Sequence, residues 1–386
     1  MNIAAIQQEL QKQNLDGWLF FDHHKRDPLA YRILGFQPAS HVTRRWYYWI
    51  PAAGEPRGMV HRIEAARLDS LPGDKILYSS WGEQTGGLRA LLGPARRVAM
   101  QYSPLCAIPY VAMVDAGTVD LVRSLGVDVV TSAELIQHFE ARWTPDQLAS
   151  HLEAGRRVDR VRAQAFDMIR EITRAGGVTQ EFAVAQFVRD AFAKAGLFAE
   201  DGPIVGVNAN AANPHYEPSA EITSEIRSGD LVLLDMWAKL NQPGSVYYDI
   251  TWTGFCGDHP SGEILKVYSV VSGARDAAIA TVKEKVNDLR GFEVDDAARG
   301  YIASRGYGDY FVHRTGHSIG EEVHGNGANM DNLETHDERR VVPWTCFSIE
   351  PGVYLKNFGI RSEVNMFVGD TEAIVTGEIQ NELARL

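Results

Sequence analysis

Short apolar runs alternate with amphipathic stretches from residue 1 to about 142. Gly17-Trp18-Leu19-Phe20-Phe21 and Val98-Ala99-Met100 predict buried strands, while Gly87 to Leu92 and Ala116 to Leu125 predict helices. This is the texture of an α/β domain. A boundary follows at Arg142-Trp143-Thr144-Pro145-Asp146-Gln147, where Thr144 caps a helix, Pro145 suits its first turn and Gln147 completes a capping box. That helix is expected to run to about Arg174 and stop at Gly176-Gly177, with a second from about Thr179 to Ala195 ending at Gly196. The expected domains are therefore 1–142 and 143–386.

Beyond Ile204 the pattern turns to strands. Leu231-Val232-Leu233-Leu234 and Val246-Tyr247-Tyr248 flank the turn formers Asn241-Gln242-Pro243-Gly244-Ser245, which predicts a β-hairpin. Pro260 to Arg290 reads as one helix, and a second strand pair is predicted at Thr345 to Leu355 and Ile360 to Val368. The C-terminal domain thus repeats helices followed by a hairpin, an α+β arrangement.

Length and composition narrow the class. A chain of 386 residues exceeds what one core usually organises, and 45% hydrophobic with 23% charged residues is the balance of an ordinary globule, not of a disordered or fibrous chain. The formal charge of -12 disfavours nucleic acid and anionic lipid as partners, because neutralising phosphates requires clustered Lys and Arg. No segment has the length and apolarity of a membrane span, and Met1 to Gln13 lacks the form of a secretory signal, so the expected location is the cytoplasm. Cys106, Cys256 and Cys346 are too few and too scattered for a disulfide framework or a thiolate zinc site.

The chemistry lies in the acids of the two predicted hairpins. Asp235 follows the first apolar run and Asp249 follows that of its partner, so closing the hairpin at Asn241 to Ser245 brings both carboxylates together. Both numbers are odd, and such a pair shares a face when the turn is centred on a whole residue and no bulge intervenes. Glu350, before Pro351-Gly352, and Glu363, after Gly359-Ile360-Arg361-Ser362, repeat the device. Four carboxylates beside apolar strands repel unless cations offset them, which predicts a divalent metal pair. Oxygen ligands suit Mn or Mg, and an added imidazole shifts the preference towards Mn, Co or Zn. The segment His313-Arg314-Thr315-Gly316-His317-Ser318-Ile319-Gly320-Glu321-Glu322-Val323-His324 supplies three imidazoles in twelve residues.

The ordered set Asp235, Asp249, His317, Glu350 and Glu363, with Gly-His-Ser-Ile-Gly, Glu-Pro-Gly and Gly-Ile-Arg-Ser-Glu around the last three, resembles the dinuclear metallopeptidases of the pita-bread fold. These include methionine aminopeptidase, Xaa-Pro aminopeptidase and prolidase. The resemblance covers residues 146–370, and the preceding domain is similar in size and texture to the creatinase-like N-terminal domain of the proline-specific members. It implies two metal ions, most simply Mn with Co or Zn as alternatives. Asp235 would bind one, His317 and Glu350 the other, with Asp249 and Glu363 bridging. It also implies that Glu350 takes the proton of the attacking water and passes it to the leaving proline nitrogen.

Further residues are assigned by the same resemblance. His215, in Asn213-Pro214-His215-Tyr216, is similar to a histidine that contacts substrate, His324 to one that steadies the carbonyl oxygen, and His313 to a histidine of the substrate pocket. Arg361 is expected to support the bridging carboxylates from behind, and Arg339, with His336 and Arg340, to clamp a free substrate carboxylate. Trp46-Tyr47-Tyr48-Trp49 and Tyr247-Tyr248 are assigned to core or interface. The implied activity is hydrolysis of a Xaa-Pro bond in a small proline-containing peptide by a homodimer, as a Xaa-Pro dipeptidase. A Xaa-Pro aminopeptidase acting on longer peptides is the alternative, and a metal-free amidinohydrolase or a non-catalytic binding module the remote ones. The 14 residues from Asp235 to Asp249 exceed the spacing common in such proteins, which predicts a short insertion in 237–248.

Overall fold

The computed structural model describes residues 1–37, 41–286 and 288–386, and its contacts divide it into two compact units, Met1–Glu140 and Ala141–Leu386. In the first unit the strands are β1 (Gly17–Asp22), β2 (Trp46–Pro51), β3 (Arg57–His61), β4 (Lys75–Tyr78), β5 (Arg97–Met100) and β6 (Asp128–Thr131). They form one mixed sheet in the order β4-β3-β2-β1-β5-β6. The helices are α1 (Ile3–Lys12), α2 (Pro28–Leu34), α3 (Trp81–Leu92), α4 (Ala116–Arg123) and α5 (Ala133–Ile136). Because successive strand residues point to opposite faces, Trp46 and Tyr48 join α1 and α2 on one side, while Tyr47 and Trp49 join α3 and α4 on the other. All four aromatics are buried core, in a sheet covered on both faces.

The second unit begins with α6 (Pro145–Arg174), whose capping box is formed by Thr144 and Gln147, followed by β7 (Thr179–Gln180) and α7 (Glu181–Lys194). Then come β8 (Leu197–Phe198), β9 (Ile204–Val207), β10 (Glu225–Ile226), β11 (Leu231–Leu240) and β12 (Tyr248–Phe255). After α8 (Gly262–Glu284) and α9 (Gly291–Ala303) the chain forms β13 (Ser318–Ile319), β14 (Thr345–Ile349), β15 (Gly352–Tyr354), β16 (Gly359–Arg361), β17 (Val364–Val368), β18 (Ala373–Thr376) and β19 (Ala384–Arg385). One sheet runs β19-β12-β11-β8 with β9 also on β11, and another runs β13-β14-β17-β18.

Each hairpin is backed by a helix pair. Val232, Leu234, Met236, Tyr248 and Ile250 pack against α6 and α7, whereas Phe347, Ile349, Val364 and Met366 pack against α8 and α9. The alternate residues of those strands point away from the helices, and many of them are polar: Asp235, Asp249, Thr251, Thr253, Ser348, Glu363 and Asn365. A buried polar face is the direct consequence of apolar packing on the other.

Several boundaries differ from the sequence expectation. Asp235 is mid-strand and not at a strand end, because Met236, Ala238 and Leu240 continue the buried alternation for five residues. Val246 and Tyr247 precede β12 in a loop, so the long spacing between the aspartates is taken up by the overrun of β11 and residues 241–247. The span from Pro260 to Arg290 yields α8 alone, and α9 follows as a separate helix. The second strand pair is broken into four strands, at Glu350-Pro351 and at Ser362-Glu363.

Candidate metal centre

The β11–β12 register pairs Asp235 with Thr251 and Trp237 with Asp249, so the two aspartates sit diagonally on one face. In the second hairpin Thr345 pairs with Val368 and Gly352 with Arg361, one continuous register that leaves Glu350 directly opposite Glu363 at the break. Pro351 has no N–H to give, and the neighbouring amides turn elsewhere. The Glu350 amide donates to the Thr315 carbonyl at 2.7 Å and the Glu363 amide to the Thr251 carbonyl at 3.0 Å. The break therefore ties the second hairpin both to β12 and to the His317 segment.

Gly316 allows that segment to approach. A Cβ there would lie 1.8 Å from the Ser348 carbonyl oxygen, so only glycine admits the contact. His317 donates its amide to Ser348 Oγ at 2.9 Å and accepts from the Ser348 amide at 2.9 Å. Its Nε2 then lies 3.4 Å from Asp249 Oδ2 and 3.5 Å from Glu350 Oε1. Asp249, His317 and Glu363, all buried, offer ligand atoms within 4.8 Å of one another.

The electrostatics fit a cation. Burial raises the pKa of Asp235, Asp249, Glu350 and Glu363, and for Asp235, Glu350 and Glu363 the neighbouring carboxylates raise it further. Burial also lowers that of His317, keeping its imidazole neutral and able to ligate. Asp249 Oδ1 and Glu363 Oε1 are buried without a hydrogen-bond partner, an arrangement native proteins avoid unless another group completes it. Hard carboxylate oxygens with one imidazole are the donor set of a divalent metal site.

Two residues position the candidate ligands. Buried Asn365 accepts from the Asp249 amide at 3.1 Å and donates to its carbonyl at 2.7 Å, replacing a strand partner on the edge of β12. Thr251 donates to Glu363 Oε2 at 2.8 Å. Neither residue was legible as functional, since its signal is a backbone clamp. Arg361 is buried among them: its guanidinium is ion-paired with Asp235, donates to Thr251 Oγ1 at 3.0 Å and to the Tyr354 hydroxyl at 3.2 Å, and lies 3.9 Å from Glu350. It holds Asp235 directly, its charge also acts on Asp249 and Glu363, and Thr251 links it to Glu363.

The remaining histidines divide. His324 is exposed, and its ring packs edge-on against His317 with centroids 4.4 Å apart. The adjacent imidazole of His317, with partial enclosure and the charge of Arg314, holds its pKa down, to about 3. His215 is exposed and near enough to His324 to contribute to that lowering. His313 is half-buried with both ring nitrogens engaged, Nδ1 2.7 Å from the Arg314 carbonyl and Nε2 2.6 Å from the Tyr354 hydroxyl. It presents ring surface and has no nitrogen to offer a substrate, contrary to a catalytic or hydrogen-bonding role.

Arg339 is buried and wholly committed. Its Nε and Nη2 donate to Asp337 at 2.9 and 2.6 Å, and Nη1 donates to the Asn326 carbonyl at 2.9 Å. The clamp reading for Arg339 is withdrawn on that geometry, and His336 and Arg340 are likewise paired with Glu338 and Asp288. Arg361 acts most strongly on His313, and Arg314, which nothing in the sequence marks out, is the cation whose field reaches all of His313, His317 and His324.

Known proteins agree with this fold. Residues 149–370 match the model of metallopeptidase family M24, and the chain belongs to that family. It is 35% identical over 201 residues to a Mycoplasma pneumoniae protein named, provisionally, as a Xaa-Pro aminopeptidase, covering 51% of this chain and 53% of that one. It is 31% identical over 233 residues to the Xaa-Pro dipeptidase of Lactobacillus delbrueckii subsp. lactis, covering 60% and 58%. The chain thus spans little more than half the length of these two relatives. Over nearly the whole chain, 99% of this one and 96% of the other, it resembles the dipeptidase PepE of Mycobacterium ulcerans, with a TM-score of 0.71 and 26% identity. The second unit has the pita-bread fold, and the protein is a metallopeptidase of the hydrolase class.

Proposed function

We propose that the protein hydrolyses the bond between an N-terminal residue and proline, as a Xaa-Pro dipeptidase. The observation that carries the reading is the buried group of Asp249, His317 and Glu363, flanked by Asp235 and Glu350, with two carboxylate oxygens lacking any protein partner. Asp249 and Glu363 would share divalent ions with Asp235, His317 and Glu350, and manganese suits this oxygen-rich set. When bound, such ions supply Lewis acidity that makes water a nucleophile near neutral pH and polarises a peptide carbonyl.

The residues of the chain do the rest. Glu350, the most exposed of the four acids with 15% of its side chain accessible, is placed to take a proton from the attacking water at a carboxylate oxygen. The same oxygen returns that proton to the proline nitrogen, which cannot leave as an anion. His324 donates an N–H to the carbonyl oxygen as charge develops there, and His215 stands beside it on the substrate side. Arg361 fixes the rotamer of Asp235, and Asn365 fixes the backbone of Asp249. Action on a dipeptide requires a cation for the free carboxylate beyond proline, and with Arg339 committed elsewhere Arg314 takes that role.

The Lactobacillus relative, a Xaa-Pro dipeptidase, and the whole-chain likeness to PepE, a dipeptidase, favour the dipeptide over longer peptides. The test is hydrolysis of Ala-Pro beside Ala-Pro-Ala by metal-stripped protein, with and without added Mn. Manganese-dependent cleavage of Ala-Pro alone is expected. Cleavage of the tripeptide at the same bond would make the protein an aminopeptidase, and failure on both with metal bound would overturn the peptidase reading.

A further inference from the structure

We propose that Trp237 and Asp201 form the pocket for the side chain of the substrate's first residue, and that this pocket selects a cationic side chain, lysine or arginine. The inference rests on the Xaa-Pro reading and adds a substrate class to it. Trp237 is the next residue after Asp235 on the same face of β11, and in the hairpin register it stands directly opposite Asp249. Its indole is therefore the wall adjoining the metal carboxylates. It is half-buried and packs in one cluster with Tyr247 and with Val323, the residue before His324.

Asp201 is bound to that wall. The indole Nε1 of Trp237 donates to Asp201 Oδ1 at 3.0 Å, and Gly202, the next residue, packs closely on the ring. Gly202 permits this: its φ is 75°, and a Cβ there would lie 2.6 Å from the indole. The charge of Asp201 acts on both His324 and Tyr247, so the carboxylate is on the substrate side of the site. Asp201 is exposed, and among the described residues no Lys or Arg forms an ion pair with it. Lys239, the next residue along that face, is occupied: its ammonium donates to the Glu321 carbonyl and sits 5.0 Å from the centre of the Tyr247 ring.

A carboxylate beside an aromatic face, both partly wetted, is the environment that holds an ammonium or guanidinium by ion pairing and cation–π attraction together. The substrate's α-amine cannot be the occupant. It is two bonds from the scissile carbonyl carbon, whereas Asp201 is hydrogen-bonded to the ring nitrogen of Trp237, several bonds out from the strand that carries Asp235. A lysine or arginine side chain spans that gap, and its apolar stem covers the indole.

The test compares kcat/KM for Lys-Pro, Ala-Pro and Glu-Pro in the Mn-loaded protein and in Asp201→Asn and Trp237→Leu. The wild-type protein is expected to prefer Lys-Pro and to disfavour Glu-Pro. In Asp201→Asn the Lys-Pro to Ala-Pro ratio should fall about five-fold, the size of a partly exposed ion pair, while the Glu-Pro to Ala-Pro ratio rises. Trp237→Leu should lower the Lys-Pro ratio as well. Unchanged ratios in both variants, with Ala-Pro still cleaved, would overturn the pocket and leave the Xaa-Pro reading intact. If the wild-type protein cleaves none of the three, that reading fails and the pocket falls with it.

Discussion

Glu350 and Glu363 stand directly opposite each other where the strand pairing of the second hairpin is broken, with their amides turned to Thr315 and Thr251. Facing carboxylates in a buried site destabilise the metal-free protein and stabilise the loaded one. Added Mn should therefore raise the melting temperature, by an amount that grows with the logarithm of concentration once the site is saturated. Glu363→Gln removes one charge at nearly constant volume. The metal-free variant should melt above metal-free wild type, and the Mn-induced rise should largely vanish. An unchanged Mn response in scanning calorimetry would remove Glu363 from the ligand set.

Glu350 is placed to do more than bind. Glu350→Gln keeps the size and the Ser348 contact at 3.1 Å but cannot accept a proton. Turnover of Ala-Pro should drop by about 100- to 10,000-fold, the usual contribution of a general base, with Mn still bound more weakly. Metal content by atomic absorption separates loss of the base from loss of the ion. Full turnover in this variant would refute the proton route.

The clamp of Asn365 on both backbone groups of Asp249 predicts an effect on metal affinity. Asn365→Ala leaves a buried amide and carbonyl unpaired, at a cost of about 1–3 kcal/mol for each such group. Its Mn affinity, read by titration calorimetry, should weaken beyond what the lower stability explains, and Asn365→Ser should recover part of it. If Asn365→Ala bound Mn as wild type does, Asp249 would not need the clamp.

Much of this site could be read before the fold was seen, because ligands must be acids or imidazoles and their spacing follows from hairpin geometry. Asp235, Asp249, His317, Glu350 and Glu363 do converge, and the capping box at Thr144 marks the start of α6. Other features rest on tertiary facts that local pattern does not carry. Asn365 and Thr251 look like ordinary strand residues until the neighbouring edge is known. Arg339 looks like a free cation until Asp337 is seen to turn back on it. Trp237 falls at the edge of the segment predicted to hold an insertion, and only the register shows that it shares the face of the acids. The strand predicted from Thr345 to Leu355 runs straight through Pro351, and neither the break there nor its use can be read locally, since both depend on where the freed amides go.

His151 is fully buried in α6, with Nδ1 2.6 Å from the Tyr247 carbonyl and Nε2 2.6 Å from Thr376 Oγ1. Burial pulls its pKa down to about 4. The unfolded chain takes up a proton below about 6.5 and the folded one resists until about 4, so this group's stabilisation is full above 6.5 and is lost as pH falls through that window. The loss amounts to about 3 kcal/mol. His151→Gln keeps a donor and an acceptor without the titration. Between pH 7 and 4.5, wild type should lose more urea-unfolding free energy than the variant, and parallel losses would show that His151 is not responsible.

Arg339 and Asp337 are both almost inaccessible, at 3% and 1% exposure, so the pair is held wholly within the protein. Removing one partner leaves the other charged and buried. Arg339→Met should therefore destabilise by about 3–5 kcal/mol, and Arg339→Met with Asp337→Asn should recover part of that, because the double change removes the uncompensated charge. In the fraction that folds, KM for Ala-Pro should stay near the wild-type value, since the guanidinium does not face substrate. Arg314→Met should instead raise KM for Ala-Pro. A raised KM in Arg339→Met at wild-type stability would return the carboxylate clamp to Arg339 and take it from Arg314.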